Sequence, residues 1–216
     1  ETINQCKLWN IIGGAVADNF GSTGLFPLCL SPLALTKYTT DFTSQEPPLE
    51  PIMSLTGYQW LSVMVAFLVV PSTQITPIVF NKIGVAATCV FGNVCTAVVT
   101  FALLMIGNGP TTYASFYGFV FVMYTGFPFT VWSQLTTGPM LDLIAPQDKI
   151  GYVQGLNNAA MNFGMALAPW MLGLLADAAG TNAAIWTGIG ISLCAALINS
   201  PLMFVKEFQA PPKPVP

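Results

Sequence analysis

The chain has 216 residues, 54% of them hydrophobic and only 7% charged, with a formal net charge of −3. A soluble domain carries about 25% charged residues, so this composition cannot cover a water-facing surface and reads as an integral membrane protein. The six basic residues are all lysine and histidine is absent, which excludes a basic patch for nucleic acid and histidine-based metal ligation or general-base chemistry.

Six apolar segments are long enough to cross about 30 Å of hydrocarbon. The first, 8–35, carries Asp18, the one charge well inside an expected span, followed by Asn19, Thr23 and the stretch "TGLFPLCLSPL" (23–33). A carboxylate at a span centre costs about 2.5–3.5 kcal/mol on insertion scales, so Asp18 should face a cavity or a partner. It reads either as a protonatable coupling group or substrate contact, or as a group near the inner interface that snorkels or bonds to Asn19 and nearby backbone.

A polar, Pro-rich loop (36–54) leads to the second span, 57–80, in which "VVPSTQITP" places Ser72, Thr73 and Gln74 between Pro71 and Pro77. Those side chains are expected to satisfy carbonyls freed by the prolines. The third span, 83–106, follows the tight connection "FNKIG". The fourth, 112–135, is ringed by aromatics, among which Tyr124 and Trp132, with Gln134, have polar tips that need partners and are the best cavity candidates. Trp132 also reads as an interfacial anchor.

The fifth span, 151–176, contains "GYVQGLNNAAMNFGMALAPW". In lipid, helices associate by close backbone approach and interhelical hydrogen bonds. Gly151, Gly155, Ala159 and Ala166 give a flat face, while Gln154, Asn158 and Asn162 recur every four residues as a polar stripe. The amides read as helix–helix glue, with direct substrate contact as the sharper alternative. The sixth span is 182–205. Residues 1–206 are thus expected to form one bundle, and 207–216 a Pro-rich tail. Asp142, Asp148 and Asp177 read as solvated or capping residues.

Lysine gives the topology. Lys7, Lys82, Lys149, Lys206 and Lys213 fall on one side and Lys37 on the other, so both termini of this multi-pass chain should face the cytoplasm or its equivalent. Spans one and four share an echo: "TGLFPLCLSPL" and "TGFPFTVWSQL" both open with T-G and close with S-x-L. Gly/Pro interruptions at corresponding positions suggest a 3+3 inverted repeat. The five cysteines (Cys6, Cys29, Cys89, Cys95 and Cys194) form no C-x-x-C pair and read as small apolar filler. No cofactor or metal is implied. With no HExxH, no nucleophile–base pair and no paired intramembrane acids, the chain is expected not to be an enzyme. It starts at Glu1 and not Met, which suggests a processed N-terminus or a piece of a longer chain.

Residues 146–180, "PQDKIGYVQGLNNAAMNFGMALAPWMLGLLADAAG", resemble the eleventh helix of the major facilitator superfamily with its flanks, including Ala168-Pro169, Gly173, Asp177 and Gly180. The connection "PIVFNKIGVA" (77–86) resembles that family's inner-loop motif, of which Lys82 and Gly84 remain. The resemblance extends over the chain as the C-terminal six-helix half. It implies that spans one and four line a cavity, that two and five face another half, and that three and six face lipid. Cavity candidates are then Asp18, Asn19, Thr23, Tyr124, Trp132 and Gln134. Seam candidates are Gln74, Gly151, Gln154, Gly155, Asn158 and Asn162. Two functions follow: a secondary transporter, or its C-terminal half, moving a small-molecule solute by alternating access, or a transporter-derived structural subunit of a larger membrane complex. Beyond the lipid bilayer, the partner against spans two and five is a missing N-terminal half or another membrane subunit.

Overall fold

The computed structural model describes residues 5–25, 37 and 38, and 54–209. Among these residues the fold is all-helical. The α-helices are α1 (Gln5–Leu25), α2 (Leu55–Ile83), α3 (Val85–Asn108), α4 (Tyr113–Thr130), α5 (Trp132–Ile144), α6 (Ile150–Ala179) and α7 (Thr181–Asn199). Four stretches are long and apolar enough to cross a membrane: Val85–Asn108, Tyr113–Ile144, Gln147–Ala179 and Thr181–Phe204. By the length and composition of these helices, the described residues read as those of a helical membrane protein. Of the first expected span, 8–35, the part after residue 25 lies outside the described residues, as does the tail from residue 210 onward.

Local chemistry sets the helix ends. Ser54 caps α2 by accepting from the Gly57 N–H at 3.1 Å. Gly84 separates α2 from α3 at φ 91°, and Gly180 separates α6 from α7 at φ 89°; both lie in the left-handed region that only glycine occupies without strain. Thr112 and Ser115 form a reciprocal capping box that starts α4.

The fourth expected span ends later than the sequence suggests and is interrupted. It runs on to Ile144, past the expected 135, and breaks at Val131 between α4 and α5. Pro128 removes a backbone donor three residues before the break. Hydroxyls then take up nearby carbonyls: Thr130 Oγ1 donates to Phe127 O at 2.7 Å and Thr136 Oγ1 to Ser133 O at 2.6 Å. In α2 the outcome differs from local repair. Thr73 and Thr76 donate to the carbonyls of Val70 and Ser72, while the Ser72 hydroxyl crosses to the Pro128 carbonyl of α4. The sixth span finishes as a 3-10 turn, Ser200–Phe204, because Pro201 follows the last α-helical residues.

α1 packs against α6 and α7, α3 packs against α7, α4 and α5, and α2 rests on α4 with smaller contacts to α3 and α5. Small residues permit the closest approach. A Cβ at Gly164 of α6 would run into the Val16 carbonyl of α1, and one at Gly14 of α1 into the Asn199 amide of α7.

The buried apolar residues form two clusters. One, at the end carrying the termini, includes Leu8, Ile11, Ala86, Met140, Val153 and Leu202. The other includes Phe20, Leu103, Phe119, Met123, Leu172 and Ile185. A polar layer lies between them in sequence on α1, α3 and the α4–α5 span: Asp18 between Ile12 and Phe20, Asn93 between Cys89 and Ala97, and Ser133 between Met123 and Met140.

Candidate functional site

The Val131 break positions the site. α5 restarts at Trp132, whose indole Nε1–H donates to Ser72 Oγ at 2.8 Å. The next residue, Ser133, is pressed onto α3: a Cβ at Gly92 would collide with the Ser133 backbone nitrogen. That registration points the Ser133 hydroxyl at α1, where Oγ lies 2.8 Å from Asp18 Oδ1. The same Oγ is 3.1 Å from Thr130 O.

A hydroxyl has one proton and here faces two acceptors. Two arrangements satisfy the geometry. Ionised Asp18 accepts the Ser133 proton, or neutral Asp18 donates to Ser133 Oγ, whose proton then goes to Thr130 O. The pair can therefore hold or lose a proton without moving a heavy atom. Asp18 is only 1% exposed, which removes the snorkelling alternative. Its Oδ2 is buried with no hydrogen-bond partner among the described residues, and an unpaired buried carboxylate oxygen is costly. The described lysines lie at helix ends or in connections, so none sits in this layer.

A second bridge joins the same helices. Gln134 Nε2 donates to Ser22 Oγ at 2.8 Å, and Ser22 Oγ donates to the Asp18 carbonyl at 2.7 Å. Cys89 and Asn93 of α3 close the layer from behind: Cys89 Sγ approaches Ser133 O at 3.9 Å, and Asn93 Nδ2 donates to Cys89 O at 3.1 Å.

The other cavity candidates are placed apart from this pair. Asn19 is buried, but its amide donates to Ala15 O within α1 at 2.9 Å, not to Asp18. Trp132 is buried on Ser72 and is no interfacial anchor. Tyr124 is half-buried against the cluster around Phe119. The Thr23 side chain lies outside the described residues.

The seam candidates divide. Gly151, Gly155, Asn158 and Asn162 form an exposed edge of α6, and Gln74 is exposed on α2. An added Cβ at Gly151 or Gly155 would meet nothing within 4 Å. Gln154 does not belong to that open edge, since its Nε2 donates to Asp142 Oδ1 at 2.7 Å and Gly138 O at 3.1 Å on α5. The amide that turns inward is Asn157, buried with Nδ2 3.5 Å from Thr137 Oγ1. Lys82 is exposed at the end of α2, beside the Gly84 turn.

Away from the termini, Lys37 Nζ donates to the carbonyls of Ile106, Gly107 and Gly109 at 2.6, 2.9 and 2.6 Å. All three ammonium donors are used on the C-terminal end of α3, where the helix dipole favours a cation. Burial lowers the Lys37 pKa from its ordinary value. Tyr38 beside it is buried edge-on to Phe116, and burial raises its phenol pKa against the hydrogen bond to Ser115.

Of the residues the site brings together, the sequence singles out Asp18 and Gln134 as candidates and not Ser133, Ser22, Asn93 or Asn157. Serines are frequent in membrane helices and carry no periodic signal. The usable clue was the S-x-L that closes both echoed stretches, since Ser133 is the serine of the second copy. A scan against protein-family models finds no match, and no curated protein matches the chain.

Proposed function

We propose that this chain is the C-terminal six-helix half of a secondary transporter of the major facilitator type, moving a small solute by alternating access. The observation that carries this reading is the arrangement around Asp18. α1 and the interrupted fourth span meet through Asp18–Ser133 and Ser22–Gln134. The helices on either side of that pair, α2 and α6, keep Gln74 and the Gly155–Asn158–Asn162 edge exposed. A second half laid on those edges would enclose a cavity with α1 and α4–α5 as its wall.

The packing order supports a 3+3 repeat. Exchanging the first three spans with the last three turns the α1 contacts with α6 and α7 into the fourth span's contacts with α2 and α3, and leaves α3 against α7. The orientation with both termini cytoplasmic rests on the lysine bias, and the Lys7–Glu207 ion pair at 2.9 Å joins the two ends of the chain on one side.

The test is uptake into vesicles containing the full transporter, with a solute panel and an imposed pH gradient. Gradient-driven uptake abolished by Asp18→Asn but kept by Asp177→Asn supports proton coupling through Asp18. Uptake unchanged in Asp18→Asn removes that residue from the mechanism, and absence of uptake for every solute argues against transport.

A second reading, a structural subunit of a larger membrane complex, is favoured by one feature. The Asp18 carboxyl is sealed inside the bundle, as a packing group would be. Stoichiometric co-purification with a large complex, without solute uptake, would establish that reading in place of the first.

A further inference from the structure

A groove of about 360 Å³ opens between α6 and α7 near the connection at Gly180, lined by Phe20 of α1, Met171, Leu174 and Ala178 of α6, and Thr187 and Ile191 of α7. We propose that this groove is a binding site for one acyl chain of a bilayer phospholipid. The inference rests on the membrane location of the helices and stands whether or not the protein transports a solute.

Three observations select the occupant. First, among the described residues the lining has no titratable group, and the hydroxyl found there, Thr187 Oγ1, already donates to Ala183 O at 2.9 Å. A cavity without polar partners does not hold water, so a charged headgroup or a sugar finds nothing to bind. Second, Met171, Leu174 and Ala178 belong to one membrane-crossing stretch and Thr187 and Ile191 to the next, so the groove opens at bilayer depth. Leu174, 55% exposed, and Met171, 46% exposed, form its mouth. The size falls within the range of about 300–1,000 Å³ usual for small-molecule sites.

Third, the groove faces away from the open amide edge. At about 100° per residue, Met171 stands on the opposite side of α6 from Asn162, and Ala178 on the side opposite Asn158 and Gly155. A partner laid on the Gly155–Asn158–Asn162 edge therefore leaves the groove uncovered. With the spans in a bilayer, hydrocarbon would face the groove there, and the flexible Met171 side chain would adapt to a chain of varying shape.

The test uses the full chain in nanodiscs of phosphatidylcholine carrying a diazirine on one acyl chain, with adducts mapped by peptide. We expect several-fold more lipid adducts on 171–178 and 187–191 than around Phe121 or Phe204, which are exposed elsewhere on the bundle. Ala178→Trp, which fills the groove, should remove that excess while leaving adducts at Phe121 unchanged. Leu174→Trp provides a second filling variant should the first not fold. An even adduct density over all exposed apolar residues would overturn the proposal. So would an excess that survives both substitutions. A photoreactive phenylalanine analogue replacing Leu174 that captures residues 26–36 of the same chain or another protein, and not lipid, would also overturn it.

Discussion

Gly164→Ala tests how tightly α1 is clasped by α6. A methyl group at that position would lie 2.5 Å from the Val16 carbonyl oxygen and 3.3 Å from the Phe20 nitrogen. Both are backbone atoms of a helix and neither can rotate away. Restoring an ordinary contact requires the two helices to separate by about 0.9 Å locally, in an interior packed as densely as a crystal. Overpacking of this kind costs about 1–3 kcal/mol. The gain in helix propensity from Gly to Ala offsets at most about 1 kcal/mol. With the full offset a net loss of about 0–2 kcal/mol against the parent remains, and about 1–3 kcal/mol against a Gly→Ala variant that meets no clash, roughly 5-fold or more in the folded-to-unfolded ratio. The assay is unfolding in detergent, thermal or by denaturant, with Gly155→Ala as the matched control. Gly155 has open space around it, so its variant should be as stable as the parent or more so. Equal stability of the two variants would refute the packing of α1 on α6.

Three further outcomes follow from the site. Ser133→Ala removes the hydrogen-bond partner of Asp18 Oδ1 and should cost about 1–3 kcal/mol, whereas Asp18→Asn keeps the size, donates to Ser133 and should cost less; the reverse order in unfolding assays would contradict the bonding described. Lys37→Met leaves three carbonyls at the end of α3 without their ammonium and should cost about 1–2 kcal/mol, since the group is only half-buried; faster amide exchange at residues 107–109 is the readout. The Glu207 pKa is held below its ordinary value, chiefly by the hydrogen bond from Lys7. A depressed carboxylate contributes above its unfolded pKa and is lost as pH falls through the folded one, so spin labels beside Lys7 and Glu207 should move apart only below about pH 4.5.

Apolar length made four of the six expected spans legible among the described residues, and Gly84 and the flanking Lys82 marked the first tight turn. The interruption near Pro128 was visible, but its place was not. The break falls at Val131 because Trp132 is held by Ser72 of another helix, a contact with no local signal. On the fifth span, both faces carry small residues and amides. Gly151, Gly155 and Asn158 compete with Asn157, Ala160 and Gly164, and spacing does not decide which set turns inward. Packing against α1 decides it, through Gly164 and Val16. Asp18 was legible as an anomaly, whereas its partner Ser133 depends on a long-range pairing that periodicity cannot encode.

The central claim is that the open edge of α6 is covered by protein. The most direct measurement places a photoreactive phenylalanine analogue in place of Asn158 in native membranes and identifies what it captures. Adducts to another polypeptide, a second transporter half or a neighbouring subunit, are the predicted result. Adducts to lipid alone, with the same label silent toward every protein, would contradict it.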